Sequence, residues 1–164
     1  MSYFFSADEV FEMAVQLEKN GAAFYRKAAK QCTAKVEQEM LVGLAQMEDD
    51  HRKTFEAMRS ELIKDDDSDW NDPEGEALRY LQAFAGGHVF DLTADPSEFI
   101  KPGTATRDVL IKALGCERES ILFYTGMKAL IPHALGRDKI DAIITEEVGH
   151  VALLSDKLEA LGTK

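Results

Sequence analysis

Cysteine is scarce in this chain. Cys32 and Cys116 stand far apart with no Cys-x-x-Cys pair, which excludes a thiolate-held zinc or iron knot and leaves no disulfide framework. Both are read as packing thiols. Long apolar runs are missing as well: nothing approaches the ~18 uninterrupted apolar residues of a membrane-spanning helix. The opening Met1-Ser2-Tyr3-Phe4-Phe5 is too short for the apolar part of a secretion signal, so the cytoplasm is the expected compartment. Positive charge is the third shortage. Nineteen Lys and Arg against 30 Asp and Glu leave a net charge of −11, which argues against a nucleic-acid backbone or an anionic membrane as partner, since both need a cationic face.

What the chain does have is a pattern that occurs twice. Glu18 is followed by Phe24 and Tyr25, then by Glu48-Asp49-Asp50-His51. Glu117 is followed by Phe123 and Tyr124, then by Glu147-Val148-Gly149-His150, with each key residue recurring 99 positions later. One Glu-x-x-His is commonplace in an acidic helical protein. Two copies, each thirty residues after a Glu that precedes a Phe-Tyr pair, are not.

The apolar periodicity around these residues is helical. Phe11, Ala14, Glu18, Gly21, Tyr25 and Ala28 step by three or four, the spacing of one helix face. This predicts a first helix over about 7–31, with Ser6 and Glu9 as a capping box. A second helix over 34–64 carries Leu41, Leu44, Glu48, His51, Phe55, Met58 and Leu62, and the short Cys32-Thr33 connection makes the two an antiparallel hairpin. The second half repeats the scheme. A third helix over 104–130, capped by Thr104 or Thr106, bears Leu110, Ala113, Glu117, Ser120 and Tyr124. After the break at Pro132 and Gly136, a fourth helix over 137–161 bears Ile140, Ile143, Glu147, His150, Leu154 and Leu161. Between the hairpins, 65–103 opens with an aspartate run, Asp65 to Asp69, and holds one short helix over Glu74–Phe84, closed by Gly86-Gly87. The stretch is too long for an idle loop and suits a crossover running the length of a bundle. Trp70, Tyr80, Phe84 and Phe90 are its candidate anchors; His88 and His133 are read as ordinary loop histidines. The expected architecture is all-α: one domain over 1–164, a four-helix bundle of two hairpins.

All four glutamates fall on apolar stripes, where an uncompensated charge costs several kcal/mol. No Lys or Arg lies on those stripes to neutralise them. Two divalent cations cancel four carboxylates, and two imidazoles complete the donor set. Glu and His at i and i+3 project side by side, so each Glu-x-x-His grips one ion from two directions. The candidate metal ligands are therefore Glu18, Glu48, His51, Glu117, Glu147 and His150. Mixed O/N donors suit iron best, with manganese or zinc possible. Tyr25 and Tyr124, two turns past their glutamates, are candidates to hydrogen-bond a ligand. Gly21 and Ser120, one turn past, leave room for a small oxidant or for close helix packing. Glu146 is placed to hold the ring nitrogen of His51 across the bundle, the support a metal-bound histidine requires. Its counterpart Met47 has no carboxylate, so two unequal sites are expected.

With those residues in place, the chain resembles the rubrerythrin-like branch of the ferritin-like superfamily over nearly its whole length. The resemblance implies a di-iron centre, bridged by Glu48 and Glu147, that reacts with hydrogen peroxide or dioxygen in peroxide reduction, oxidative-stress protection or ferrous iron oxidation. Two departures stand out. Ser120 occupies the position of a further glutamate that swaps with a histidine in rubrerythrins, and the nearby Glu119 points off the face. The paired Cys-x-x-Cys of a rubredoxin domain does not occur, so electrons are expected from a separate donor such as a rubredoxin-like protein, or from Fe(II) itself. A homodimer, with hairpins exchanged across the crossover, is a further family-based expectation. The alternatives to a peroxide-reducing oxidoreductase are a ferroxidase, a metal-stabilised bundle without catalysis, and an organic-substrate oxygenase, which would need an apolar pocket beside the metals.

Overall fold

The computed structural model describes residues 7–62, 75–85, 95–131, 133 and 136–162. Four long helices make the bundle: α1 Ala7–Gln31, α2 Lys35–Leu62, α4 Thr106–Leu130 and α5 Arg137–Gly162, with the short α3 Glu76–Ala85 between the hairpins. The boundaries lie within two residues of those the periodicity predicts. Acidic residues sit in the first turn of α1 (Asp8, Glu9) and of α4 (Asp108), with Lys30 and Lys128 in their last turns, complementing each helix dipole. The hairpin α4–α5 turns at Gly136, whose φ of +94° lies in the left-handed region that glycine enters at least cost.

One expectation fails. Neither Thr104 nor Thr106 caps α4: the N-cap position is Ala105, which offers no side-chain bond. Thr104 is engaged in the preceding turn instead, where its hydroxyl accepts from the Lys101 N–H (2.9 Å) and donates to the Lys101 carbonyl (2.8 Å). The Ser6 cap, Trp70, His88, Phe90, Gly86-Gly87, Pro132 and the aspartate run from Asp65 lie outside the described residues.

The crossover docks through specific contacts. Leu81 and Phe84 of α3 are buried, and the Phe84 ring meets Phe123 edge-on at 6.0 Å. Tyr80 donates to the Leu122 carbonyl at 2.8 Å and lays its ring over Gly126, where an added methyl group would overlap it. A short 3-10 helix, Pro96–Phe99, capped by Asp95, is tied to α1 by Lys27, whose ammonium donates to the Ser97 carbonyl at 2.8 Å.

Two apolar clusters fill the interior. One gathers Val10, Phe11, Phe55, Met58, Phe123, Met127 and Ile140 with Leu81 and Phe84 of α3. The other gathers Phe24, Ala28, Leu41, Leu44, Leu110, Ala113 and Leu154. The N-terminal part of α4 thus shares a cluster with the N-terminal part of α2, so these two helices run parallel, as a long crossover requires. Among the described residues no helix is long and apolar enough to cross a membrane.

Candidate metal centre

The buried charged groups of the described residues are Glu18, Glu48, His51, Glu117, Glu147 and His150, each at most 4% exposed. One comes from α1, two from α2, one from α4 and two from α5. Their donor atoms form two groups, each spanning no more than 4.8 Å: Glu18, Glu48, His51 and Glu147, and Glu48, Glu117, Glu147 and His150. Glu48 and Glu147 belong to both. The helices thus bring all six predicted ligands together, with the two Glu-x-x-His glutamates shared between the halves.

The distances are those of donors that face a common ion. His150 Nδ1 lies 2.8 Å from Glu147 Oε2 and 3.5 Å from Glu117 Oε2. His51 Nδ1 lies 3.1 Å from Glu147 Oε1 and 3.7 Å from Glu18 Oε2. Adjacent donors around an ion with bonds of about 2.1 Å are separated by roughly 3 Å. Yet none of these ring nitrogens is aligned for a hydrogen bond. His51 Nδ1, His150 Nδ1, Glu18 Oε2, Glu48 Oε1 and both Glu147 oxygens are buried without a hydrogen-bond partner. Unpartnered buried polar atoms are rare and call for an explanation. Six of them converging within one cavity, from a set of four carboxylates and two imidazoles, fit two divalent cations in charge, donor type and spacing.

The outward atoms of the same side chains are, by contrast, anchored. Tyr25 donates its hydroxyl to Glu117 Oε1, and Tyr124 donates to Glu18 Oε1, each reaching across to the other half of the repeat. Burial and neighbouring carboxylates push both phenols well above their ordinary range, so they remain donors. His51 Nε2 lies 3.0 Å from Glu146 Oε2, whereas His150 Nε2 lies 3.4 Å from the Met47 sulfur. The rings of His51 and His150 stack at 5.9 Å with 23° between their planes.

Without cations, protons take over the neutralisation. Burial raises Glu18 to about 8 and Glu117 to about 7, and pushes Glu48 well above the carboxylate range. Burial would also raise Glu147, but contact with His150 and His51 outweighs it and holds this carboxyl down to about 2. The imidazoles respond in kind. Burial alone would lower them, yet their carboxylate neighbours raise His51 to about 9 and His150 to about 10.

A cavity of about 50 Å3 opens beside the cluster, lined by Gly21, Tyr25, Glu48, Cys116, Glu117 and Ser120 among others. Space is tight at Gly21: a methyl group on it would lie 3.1 Å from Glu48 Oε2 and press on that carboxylate. Cys116 faces the same cavity, but burial raises its thiol to about 12, which keeps it protonated and unreactive. Glu119 is half-buried and outside both donor groups, and His133 is exposed beside Arg137. The Gly126 packing and the Lys27–Ser97 tie escaped the sequence reading, since neither residue carries a local signal of a partner so far away in the chain.

No protein-family model matches the chain, and no characterised protein is recognisably similar to it in sequence. In three dimensions it is similar to the crystal structure of a Thermotoga maritima protein provisionally assigned as a ferritin-like diiron-carboxylate protein. The two are 20% identical, with 97% of this chain and 98% of that one superposed at a TM-score of 0.71. This establishes the fold as a ferritin-like four-helix bundle.

Proposed function

We propose that this protein is a di-iron carboxylate oxidoreductase of rubrerythrin-like type that reduces hydrogen peroxide, or dioxygen, with electrons from a separate donor such as a rubredoxin-like protein. Glu18 and Glu117 would each serve one ion, Glu48 and Glu147 would bridge, and His51 and His150 would each complete one coordination sphere through Nδ1. Two redox-active ions held there supply two electrons and Lewis acidity for cleavage of an O–O bond.

The observation that carries the choice of substrate is the cavity. At about 50 Å3 it admits a molecule of a few heavy atoms, far below the roughly 300–1,000 Å3 that organic ligands occupy. This favours peroxide or dioxygen over an organic-substrate oxygenase. The residues around it have separate tasks. Gly21 keeps the Glu48 carboxylate accessible, and Ser120 leaves the adjoining wall small and polar. Tyr25, on the cavity wall, holds Glu117 in place and keeps its proton. The flanking apolar clusters exclude bulk water from both ends of the site.

Stopped-flow mixing of the anaerobically reduced, iron-loaded protein with peroxide, and separately with dioxygen, tests the proposal. Rapid reaction with peroxide that recurs on addition of reductant is expected. Oxidation of added Fe(II) with release of ferric product, and no turnover with a reductant, would instead make it a ferroxidase. Isolation with firmly bound zinc and no reaction with either oxidant would make it a metal-stabilised bundle.

A further inference from the structure

From the contacts on the outer edges of the two histidines, we infer that the two metal positions differ in kind. The position at His51 holds its ion firmly, and the position at His150 and Glu117 holds a weaker, exchangeable ion that enters and leaves through the neighbouring cavity. The inference rests on the di-metal reading above and adds which ion is resident and which is mobile.

The internal repeat provides its own control, because every ligand of one half has the same residue type in the other. The outer contact does not. Met47 and Glu146 occupy the equivalent position, each just before the glutamate of Glu-x-x-His. Glu146 offers His51 Nε2 an anionic acceptor at 3.0 Å, which fixes the ring with its Nδ1 lone pair toward the site and makes that nitrogen a better donor. Met47 offers His150 Nε2 only a thioether at 3.4 Å, an uncharged and weak acceptor. The same imidazole is therefore well held in one half and loosely held in the other.

The cavity breaks the symmetry in the same direction. Of the six ligands it touches Glu48, which is shared, and Glu117, which belongs to the His150 group alone. Glu18 and His51 do not line it. On the opposite surface a groove reaches His51 and Glu146, but none of the four carboxylate ligands lines it. It reaches the His51 ring on the side where Glu146 holds it, away from the carboxylates. Weak anchoring and an opening onto the carboxylates thus coincide at one position, whereas at the other the anchoring is firm and the groove meets only the imidazole.

Calorimetric titration of the metal-free protein with Co(II) under anaerobic conditions tests this, paired with the rate at which a chelator removes each ion. Two resolved steps are expected in the unmodified protein. Glu146→Met should weaken the tighter step by about ten- to hundredfold, and Met47→Glu should tighten the weaker one by a similar factor. Met47→Gln, a neutral acceptor, should shift the weaker step in the same direction by less and serves if the glutamate variant does not fold. Ser120→Leu, which narrows the cavity, should slow chelator removal of the weaker ion and leave the tighter one unchanged. Two indistinguishable ions, or swaps that move neither step, would overturn the inference with the di-metal reading intact. An unaltered removal rate in Ser120→Leu would overturn the route. Uptake of a single ion up to millimolar metal would overturn the di-metal reading itself, and this inference with it.

Discussion

At the scale of single residues, Glu147 is the one on which most depends. It is fully buried, it belongs to both donor groups, and it lies within about 3 Å of both buried imidazoles, at 3.1 Å from His51 and 2.8 Å from His150. Glu18 serves one group only. The two should therefore fail differently. Glu147→Ala is expected to lose both ions, and Glu18→Ala one, by elemental analysis after dialysis. Two ions retained by Glu147→Ala would refute its shared position. The tyrosines give a milder contrast, because each bonds a candidate ligand and belongs to neither donor group. Tyr124→Phe removes the donor to Glu18 and leaves the ring packed against Phe55 at 4.9 Å. It should keep a stoichiometry of two while lowering stability by about 0.5–1.5 kcal/mol, the net worth of one hydrogen bond. Urea denaturation of the loaded protein measures that loss.

Among the elements, α3 is held to α4 by shape. The Tyr80 ring occupies the space that any side chain at position 126 would need, and Tyr80 also bonds the Leu122 carbonyl. Gly126→Ala should destabilise the protein by about 1–3 kcal/mol, the usual cost of overpacking. Combined with Tyr80→Ala it should cost less than the two changes summed, since removing the ring removes the overlap. Strictly additive losses in urea midpoints would show that the crossover helix yields without strain. This pair also marks what the sequence can and cannot disclose. The long helices and both hairpins are legible because Phe11, Ala14 and Glu18, or Ile143, Glu147 and His150, declare a buried face by period alone. The six side chains that converge in the core were legible because the duplication repeats them at one offset. Contacts made by the crossover were not, because they depend on where an irregular segment lands, and no period encodes that. The Ala105 boundary of α4 was lost for a related reason: Thr104 had a better local use in its own turn.

For the molecule as a whole, the site is a band of charge between two apolar clusters, and its occupancy by protons or by metal should set how stability responds to pH. In the metal-free protein Glu18, Glu48 and Glu117 are raised above the carboxylate range, the first and last to about 8 and about 7. His51 and His150 are raised to about 9 and about 10. A group raised on folding binds its proton more tightly in the native state, so its contribution is complete below the unfolded value and is lost as pH climbs through the folded one. All five therefore act in one direction between pH 6 and 9: the metal-free bundle should become less stable. Glu147, held at about 2, contributes stability that is lost only as pH falls from the ordinary carboxylate range toward 2, outside this window. Metal bound at the proposed site should reverse the trend, because cations displace those protons and bind better as protons grow scarce. The gap in melting temperature between loaded and metal-free protein should widen steadily from pH 6 to 9. Calorimetry at pH 7, repeated in buffers of different ionisation enthalpy, should show net proton release as metal binds. A gap that stays constant across the window, with no proton released, would mean that the carboxylates are not neutralised by protons when the ions are gone. The buried charge would then need another source of compensation, and among the described residues no Lys or Arg is buried to provide one.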